Sequence, residues 1–373
     1  MKVRKITNLP VQDNEGRVYY TVRVDTDAGI HGLGEVGISN WGRAIANAVD
    51  HLGELVIGAD PWDTERLWQE MFRSGYFPAD KVYCCAISAI DIALWDIKGK
   101  SVNMPTYKLL GGQVREKVVC YPHIRGTDKE QIVEGSKRAV GEGWKFVRWG
   151  QPDPWGSFES GGISIIEPDK SMRLAVELMG EVREAVGPDI ELMIDCHARF
   201  DAPTAIRLAR SLEQYNIWWM EEPVGVESTH ALKQVRENVS VPICVGERLH
   251  TRWDFLPILE NELADFIMPD VTWTGGISEI KKIATMAEAY YVPISPHDAS
   301  GPINVLAGAH AMASVPNHYR VETTKANLSA YNAYIDHALD VRGDKIYLSD
   351  RPGLGIELDK DFMRAHVVAG YGG

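Results

Sequence analysis

The stretches LMIDCH (192–197), WWMEEP (218–223) and ICVGER (243–248) decide how this chain is read. Each is a short β-branched or aromatic run that ends in acidic or imidazole side chains, and helical patterns such as 205–214 lie between such runs. Working outward, the same texture recurs at 118–123, 146–150, 266–270, 293–297 and 319–323, with another helical stretch at 277–290. Strands alternating with helices predict parallel βαβ units. Eight of them predict a closed barrel more than an open sheet.

The flanks read differently. Residues 18–25 (VYYTVRVD) alternate apolar and polar, Asp27-Ala28-Gly29 makes a turn, and HGLGE (31–35) begins the return, so an antiparallel hairpin is expected. Helical periodicity follows over 43–55, 62–72 and 86–99. The tail holds a second hairpin-like piece, 345–348 and then 351–358 around Pro352-Gly353. The expectation is an α/β protein, a modified TIM barrel over 116–325. An α+β capping domain over 1–115 is completed by residues 326–373 packing back on it.

Composition narrows the function. A chain of 373 residues with 45% hydrophobic content is long enough for two domains and a sizeable core. With 39 Lys+Arg against 52 Asp+Glu the net charge is −13, a poor match for nucleic acid or an anionic membrane. No apolar run reaches the roughly 18–20 residues of a membrane span, and MKVRKITNLPVQDNEG lacks a signal-peptide core. The five cysteines are odd in number and show no CxxC spacing, which points to a reduced, cytoplasmic enzyme.

The polar residues fall at strand ends. Asp195, Glu221, Glu247, Asp270, His297 and Glu322 follow one another at intervals of 26, 26, 23, 27 and 25, about one βα unit each. In a parallel barrel those ends share one face. Any one acid reads as a helix cap or an arginine partner. Three in phase, Asp195, Glu221 and Glu247, would repel strongly unless a cation lies among them, and oxygen ligands with open positions suit Mg²⁺. Asp270 and His297 end adjacent strands, so the carboxylate can orient the imidazole as a general base. His197, two residues past Asp195, is expected on the same strand face beside the metal. Arg148 can hold a substrate carboxylate or hydroxyl, or neutralise the acids, and His123 is a weaker candidate of the same kind. The Pro/Gly/Ser-rich segment 151–167 reads as a lid or channel loop.

In this order and spacing, Asp195-x-His197, Glu221-Glu222-Pro223, Gly246-Glu247-Arg248, Pro269-Asp270, Pro296-His297 and Glu322 resemble the enolase superfamily in its mandelate racemase branch. Gly32-Leu33-Gly34-Glu35 and the 91–100 helix match as well. The resemblance implies a (β/α)7β barrel and Mg²⁺ on Asp195, Glu221 and Glu247. It also implies His297 as base supported by Asp270, with Glu322 donating to or stabilising an enediolate oxygen. Homo-oligomers are common for such barrels. Mandelate racemase-like enzymes often carry Lys-x-Lys at the second strand end; here Arg148-Trp149-Gly150 stands there, and arginine does not readily deprotonate. The His197/His297 pair is instead similar to galactonate dehydratase and related acid-sugar dehydratases. The expected activity is Mg²⁺-dependent dehydration of an aldonate to a 2-keto-3-deoxy sugar acid, with His197 protonating the departing hydroxyl. An epimerase or cycloisomerase using the same site is the alternative, and a non-catalytic sugar-acid binder is a third reading.

Overall fold

The computed structural model of the protein describes residues 1–14, 16–37, 41–150, 168–323 and 328–368. Three strands, β1 (Val3–Gln12), β2 (Val18–Thr26) and β3 (His31–Val36), form an antiparallel sheet in that order. The expected hairpin is β2–β3. The additional strand β1 pairs with β2 along most of its length, and its weak alternation (VRKITNLPVQ) hid it from pattern reading. Helices α1 (Gly42–Val56), α2 (Thr64–Arg73) and α3 (Lys81–Ser101) follow.

The sheet meets α3 through glycine. A Cβ at Gly32 would lie 2.0 Å from the Ala93 carbonyl oxygen, and one at Gly34 would lie 1.8 Å from that of Ala89. With residues 32 and 34 facing α3, strand alternation turns Leu33 and Glu35 the other way. Leu33 accordingly joins the apolar cluster of the barrel. α3 itself is buried almost all round, as its small apolar residues require.

The barrel strands are β4 (Val118–Ile124), β5 (Phe146–Gly150), β6 (Glu191–Asp195), β7 (Trp219–Glu221), β8 (Ile243–Val245), β9 (Phe266–Ile267) and β10 (Val321–Thr323). β4 to β9 pair in sequence, all parallel, and β10 pairs parallel with β4. Between β9 and β10 the expected seventh strand (293–297) is reduced to single parallel bridges, Ile267 to Ile294, Asp270 to His297 and Ile294 to His318. The helices after the strands are α5 (Lys129–Gly141), α6 (Pro168–Val186), α7 (Ala202–Leu212), α8 (Thr229–Arg236), α9 (Thr251–Glu260), α10 (Gly276–Ala289) and α11 (Pro302–Ala313), with a short α4 (Thr106–Leu109) before them. No helix among the described residues is long and apolar enough to cross a membrane.

The tail departs from expectation. Residues 345–348 do not pair with 351–358; β11 (Asp340–Arg342) and β12 (Lys345–Tyr347) form the hairpin, and β12 adds antiparallel to β4 of the barrel. The tight turn at Gly343 (φ 55°) closes it upstream of the Pro352-Gly353 signal. From Gly353 onward the tail does reach the N-terminal unit. Leu354 N donates to Asp96 Oδ1 at 2.8 Å, and Glu357 pairs with His31 at 2.6 Å and Lys100 at 2.7 Å.

The close approach of β3 to α3 sets a test. Gly34→Ala should destabilise the protein by about 3 kcal/mol or more, because backbone rather than a flexible side chain would have to move. Gly141→Ala, where an added methyl meets nothing within 4 Å, should be neutral or slightly stabilising. Urea melts of the two variants decide this, and equal midpoints would refute the packing argument.

Candidate active site

The barrel interior is layered. Tyr121, Phe146, Met193, Trp219, Cys244 and Met268 form one apolar cluster. Two residues further along the same strands come His123, Arg148, Asp195, Glu221 and Asp270, so the period-two alternation that buries the floor also aims a polar ring at the strand ends. Trp219 joins the layers, its Nε1 donating to Glu221 Oε2 at 3.2 Å. Glu247 is out of phase with this rule. Gly246, at φ 135°, breaks the alternation after Cys244 and brings Glu247 to the mouth; a side chain at Gly246 would also strike the Phe255 ring at 2.7 Å.

The three expected metal ligands do converge. Asp195, Glu221 and Glu247 are buried and each offers an oxygen within 4.8 Å of the others, the only such group among the described residues. Arg148 lies against them. Its Nε donates to Glu221 Oε2 at 3.0 Å, its Nη2 also contacts Glu221 Oε1, and Nη2 stands 3.1 Å from Asp195 Oδ2. Its Nη1 donates to Glu322 Oε1 at 2.7 Å and contacts His123 Nδ1. Of the two roles expected of Arg148, the geometry displays neutralisation: its donors face carboxylates. Arg248 Nε also stands 3.3 Å from Glu247 Oε1 at the exposed rim, but Arg148 is the buried guanidinium and is too little charge for this cluster. Burial pushes the Glu221 carboxyl well up against the pull of Arg148, with repulsion from Asp195 added. Burial and the charge of Glu247 lift Glu222 to about 8. Asp195 Oδ2 is buried, with Arg148 Nη2 and His197 Nε2 as its nitrogen neighbours. Three converging hard oxygens and surplus negative charge fit a divalent cation.

His297 and Asp270 are paired as expected, Nδ1 to Oδ2 at 2.8 Å. His297 Nε2 faces Glu247 Oε2 at 3.2 Å and Glu322 Oε2 at 3.7 Å. Burial would lower this imidazole, but Glu322, Glu247 and Asp270 outweigh it and raise it to about 10. Glu322 is the counterpart: despite burial, Arg148 and His297 bring it down to about 2. It accepts hydrogen bonds, including one from Asp298 N at 3.3 Å. His123 lies 3.7 Å from Glu322, and burial together with Arg148 lowers it to about 4, a neutral imidazole.

His197 reaches the cluster by another route than the strand face expected. β6 ends at Asp195, and His197 and Ala198 follow in the left-handed region at φ 50° and 55°. His197 N donates to Asp195 Oδ1 at 2.8 Å, and the ring returns to place Nε2 2.5 Å from Asp195 Oδ2. Gly150 leaves room for that ring, since a Cβ there would meet His197 Cε1 at 3.1 Å. The imidazole is one-third exposed. The expected lid, 151–167, lies outside the described residues.

Sequence reading missed the residues that hold Asp270. Thr272 donates to Asp270 Oδ1 through N at 2.7 Å and Oγ1 at 2.6 Å, and Asn304 Nδ2 donates to Oδ2 at 3.1 Å. The available signal for Asn304 was a single amide in the otherwise apolar run PINVLAGA, just after a Gly-Pro helix start.

Comparison with known proteins agrees with this architecture. Residues 4–111 match the model of the mandelate racemase/muconate lactonizing enzyme N-terminal domain, and residues 132–362 match the enolase C-terminal domain-like model. A D-galactonate dehydratase of Pectobacterium atrosepticum is 33% identical, over 97% of this chain and 94% of its own length. A D-mannonate dehydratase of a Sphingomonas species is 32% identical, over 95% and 92%. A crystal structure of an enolase superfamily member from Salmonella Typhimurium superposes with a TM-score of 0.92 at 31% identity, covering 98% of both chains.

If Arg148 is the internal counter-ion, Arg148→Met should destabilise the cation-free protein by about 3–5 kcal/mol, the cost of stranding buried charge. Added Mg²⁺ should then raise the melting temperature of the variant more than that of the parent. Equal increments in a thermal-shift titration would show that Arg148 does not share the cation's place.

Proposed function

The chain belongs to the mandelate racemase/muconate lactonizing enzyme family of the enolase superfamily, and we propose that it dehydrates a sugar acid of the aldonate type to a 2-keto-3-deoxy sugar acid. The observation that carries this reading is a pair of imidazoles on one acid cluster, His197 on Asp195 and His297 on Glu247 and Glu322, with no lysine in Phe146–Gly150. The names of the galactonate and mannonate dehydratase relatives support the same class of substrate.

Asp195, Glu221 and Glu247 would hold Mg²⁺, which when bound supplies electrostatic stabilisation to negative charge developing on a substrate carboxylate. His297 takes the proton α to that carboxylate. Asp270 accepts from Nδ1 and so leaves Nε2, the nitrogen facing the mouth, to receive it. The neutral form needed for this step requires that the charge of Glu247 and Glu322 be compensated, since those two carboxylates keep the imidazole protonated. His197, on the other flank and open to solvent, gives a proton to the 3-hydroxyl as the C–O bond breaks. Water leaves, and the enol tautomerises to the 2-keto acid. Glu322, ionised, serves to hold Arg148 and the His297 side of the mouth rather than to donate a proton. Arg148 and His123 complete the wall behind the acids. The protein acts in the cytoplasm, and a homo-oligomer is the expected assembly.

Incubation with Mg²⁺ and a panel of sugar acids should give keto acid from at least one of them. His297→Asn should abolish both keto-acid formation and exchange of the α-proton with D₂O, by about 10²–10⁴-fold. His197→Asn should lose dehydration yet keep α-proton exchange. A product that keeps all its hydroxyls and is inverted at the α-carbon would replace the dehydratase reading with an epimerase in which His197 is the second base.

A further inference from the structure

We propose that Glu35, on strand β3 of the N-terminal sheet, is a positioning residue for the His297–Asp270 pair, acting through Asn304 at the start of helix α11. Helix α11 begins at Pro302 behind Gly301, which has no side chain to cap the first-turn N–H groups. Glu35 supplies the missing acceptor from the other unit: Asn304 N donates to its Oε2 at 2.9 Å. A carboxylate at a helix N-terminus is also favoured by the helix dipole. Gly301 is the residue that permits this approach, because a Cβ there would lie 2.1 Å from Glu35 Oε1.

The capped residue is the one that reaches Asp270. With its backbone tied to Glu35, Asn304 extends Nδ2 to Asp270 Oδ2 at 3.1 Å and Oδ1 at 3.3 Å. Oδ2 is also the oxygen that accepts from His297 Nδ1. The sequence of contacts therefore runs from β3 to the α11 first turn, to the Asp270 carboxylate, to the imidazole. Glu35 is itself braced, since Tyr334 OH donates to its Oε1 at 3.2 Å and the Tyr334 ring stacks on Tyr19 at 5.2 Å. All of Glu35, Asn304 and Asp270 are buried.

An internal control exists in the same molecule. Helix α10 likewise begins behind a glycine, Gly275, and is capped from the N-terminal unit: Asp91 accepts from Ser278 N at 2.9 Å and Ser278 Oγ at 2.6 Å. Among the described residues Ser278 bonds to Asp91 and Trp95, and the Asp270 carboxylate to Thr272, His297 and Asn304, so Asp91 performs the structural part of the job without the positioning part.

The inference rests on His297 being the base proposed above, and its test separates the two. The full chain is labelled with ¹⁵N-histidine, and the low-field Nδ1–H resonance of the His297–Asp270 hydrogen bond is followed at fixed pH and Mg²⁺, assigned by its loss in His297→Asn. Glu35→Leu and Asn304→Leu should shift or broaden it and slow α-proton exchange about 10- to 100-fold with KM unchanged. Glu35→Gln, which keeps an acceptor oxygen, should restore both, and it decides the matter should the leucine variants fail to fold. Asp91→Asn should lower the melting temperature and leave the resonance in place. A resonance that moves while exchange is unchanged would sustain the positioning and overturn the base assignment. An unmoved resonance in Glu35→Leu and Asn304→Leu, a loss in Glu35→Gln as deep as in Glu35→Leu, or an equal movement in Asp91→Asn, would overturn the positioning.

Discussion

Negative charge is concentrated in the barrel mouth to a degree that water cannot relieve. Asp195, Glu221, Glu247, Asp270 and Glu322 are all buried there, and Arg148, Arg248 beside Glu247, and the imidazoles of His197 and His297 stand against them. Everything nearby follows from balancing that charge. Glu322 is driven to ionise by Arg148 and His297, Glu222 is driven to keep a proton, and His123 is driven to stay neutral. A site in this condition is poised for a divalent ion, because such an ion satisfies several acids at once where a guanidinium reaches them singly.

The apolar floor is what lets the charge be placed so tightly. Tyr121, Phe146, Met193, Trp219, Cys244 and Met268 close the barrel two residues below the polar ring. The low-dielectric layer strengthens every interaction above it and denies the acids a solvent path from beneath. The two layers are one sequence pattern read at alternate positions, so neither can be altered in register without the other.

Much of this was legible in the chain, and the reasons for success and failure are physical. Strand ends in phase with acidic residues identify parallel strands, whose C-terminal ends share one face, and eight such units favour a closed barrel over an open sheet. The Asp270–His297 pairing and the convergence of Asp195, Glu221 and Glu247 followed from it. The routes did not. Glu247 arrives through the positive φ of Gly246 and His197 through two left-handed residues, and a period-two rule is blind to both. Strand β1 lacked alternation, the seventh strand amounts to single bridges, and the tail hairpin lay upstream of its strongest turn signal. Asn304 and Glu35 were the hardest to find, because their partners are 34 and 269 residues away and nothing local marks them.

The lacing between β9 and β10 is the thinnest of the cylinder, isolated bridges in place of ladders, and the imidazole of His297 hangs on it. Across that gap the N-terminal unit is fastened by Asp91 on α10 and Glu35 on α11. Those two fasteners act as a hoop acts on staves. The last quarter of the barrel has few ladder bonds of its own and is braced by a unit from the far end of the chain. Organisation of the reactive wall is thereby tied to contacts that span 187 and 269 residues of the chain, and loops of that length are costly to close.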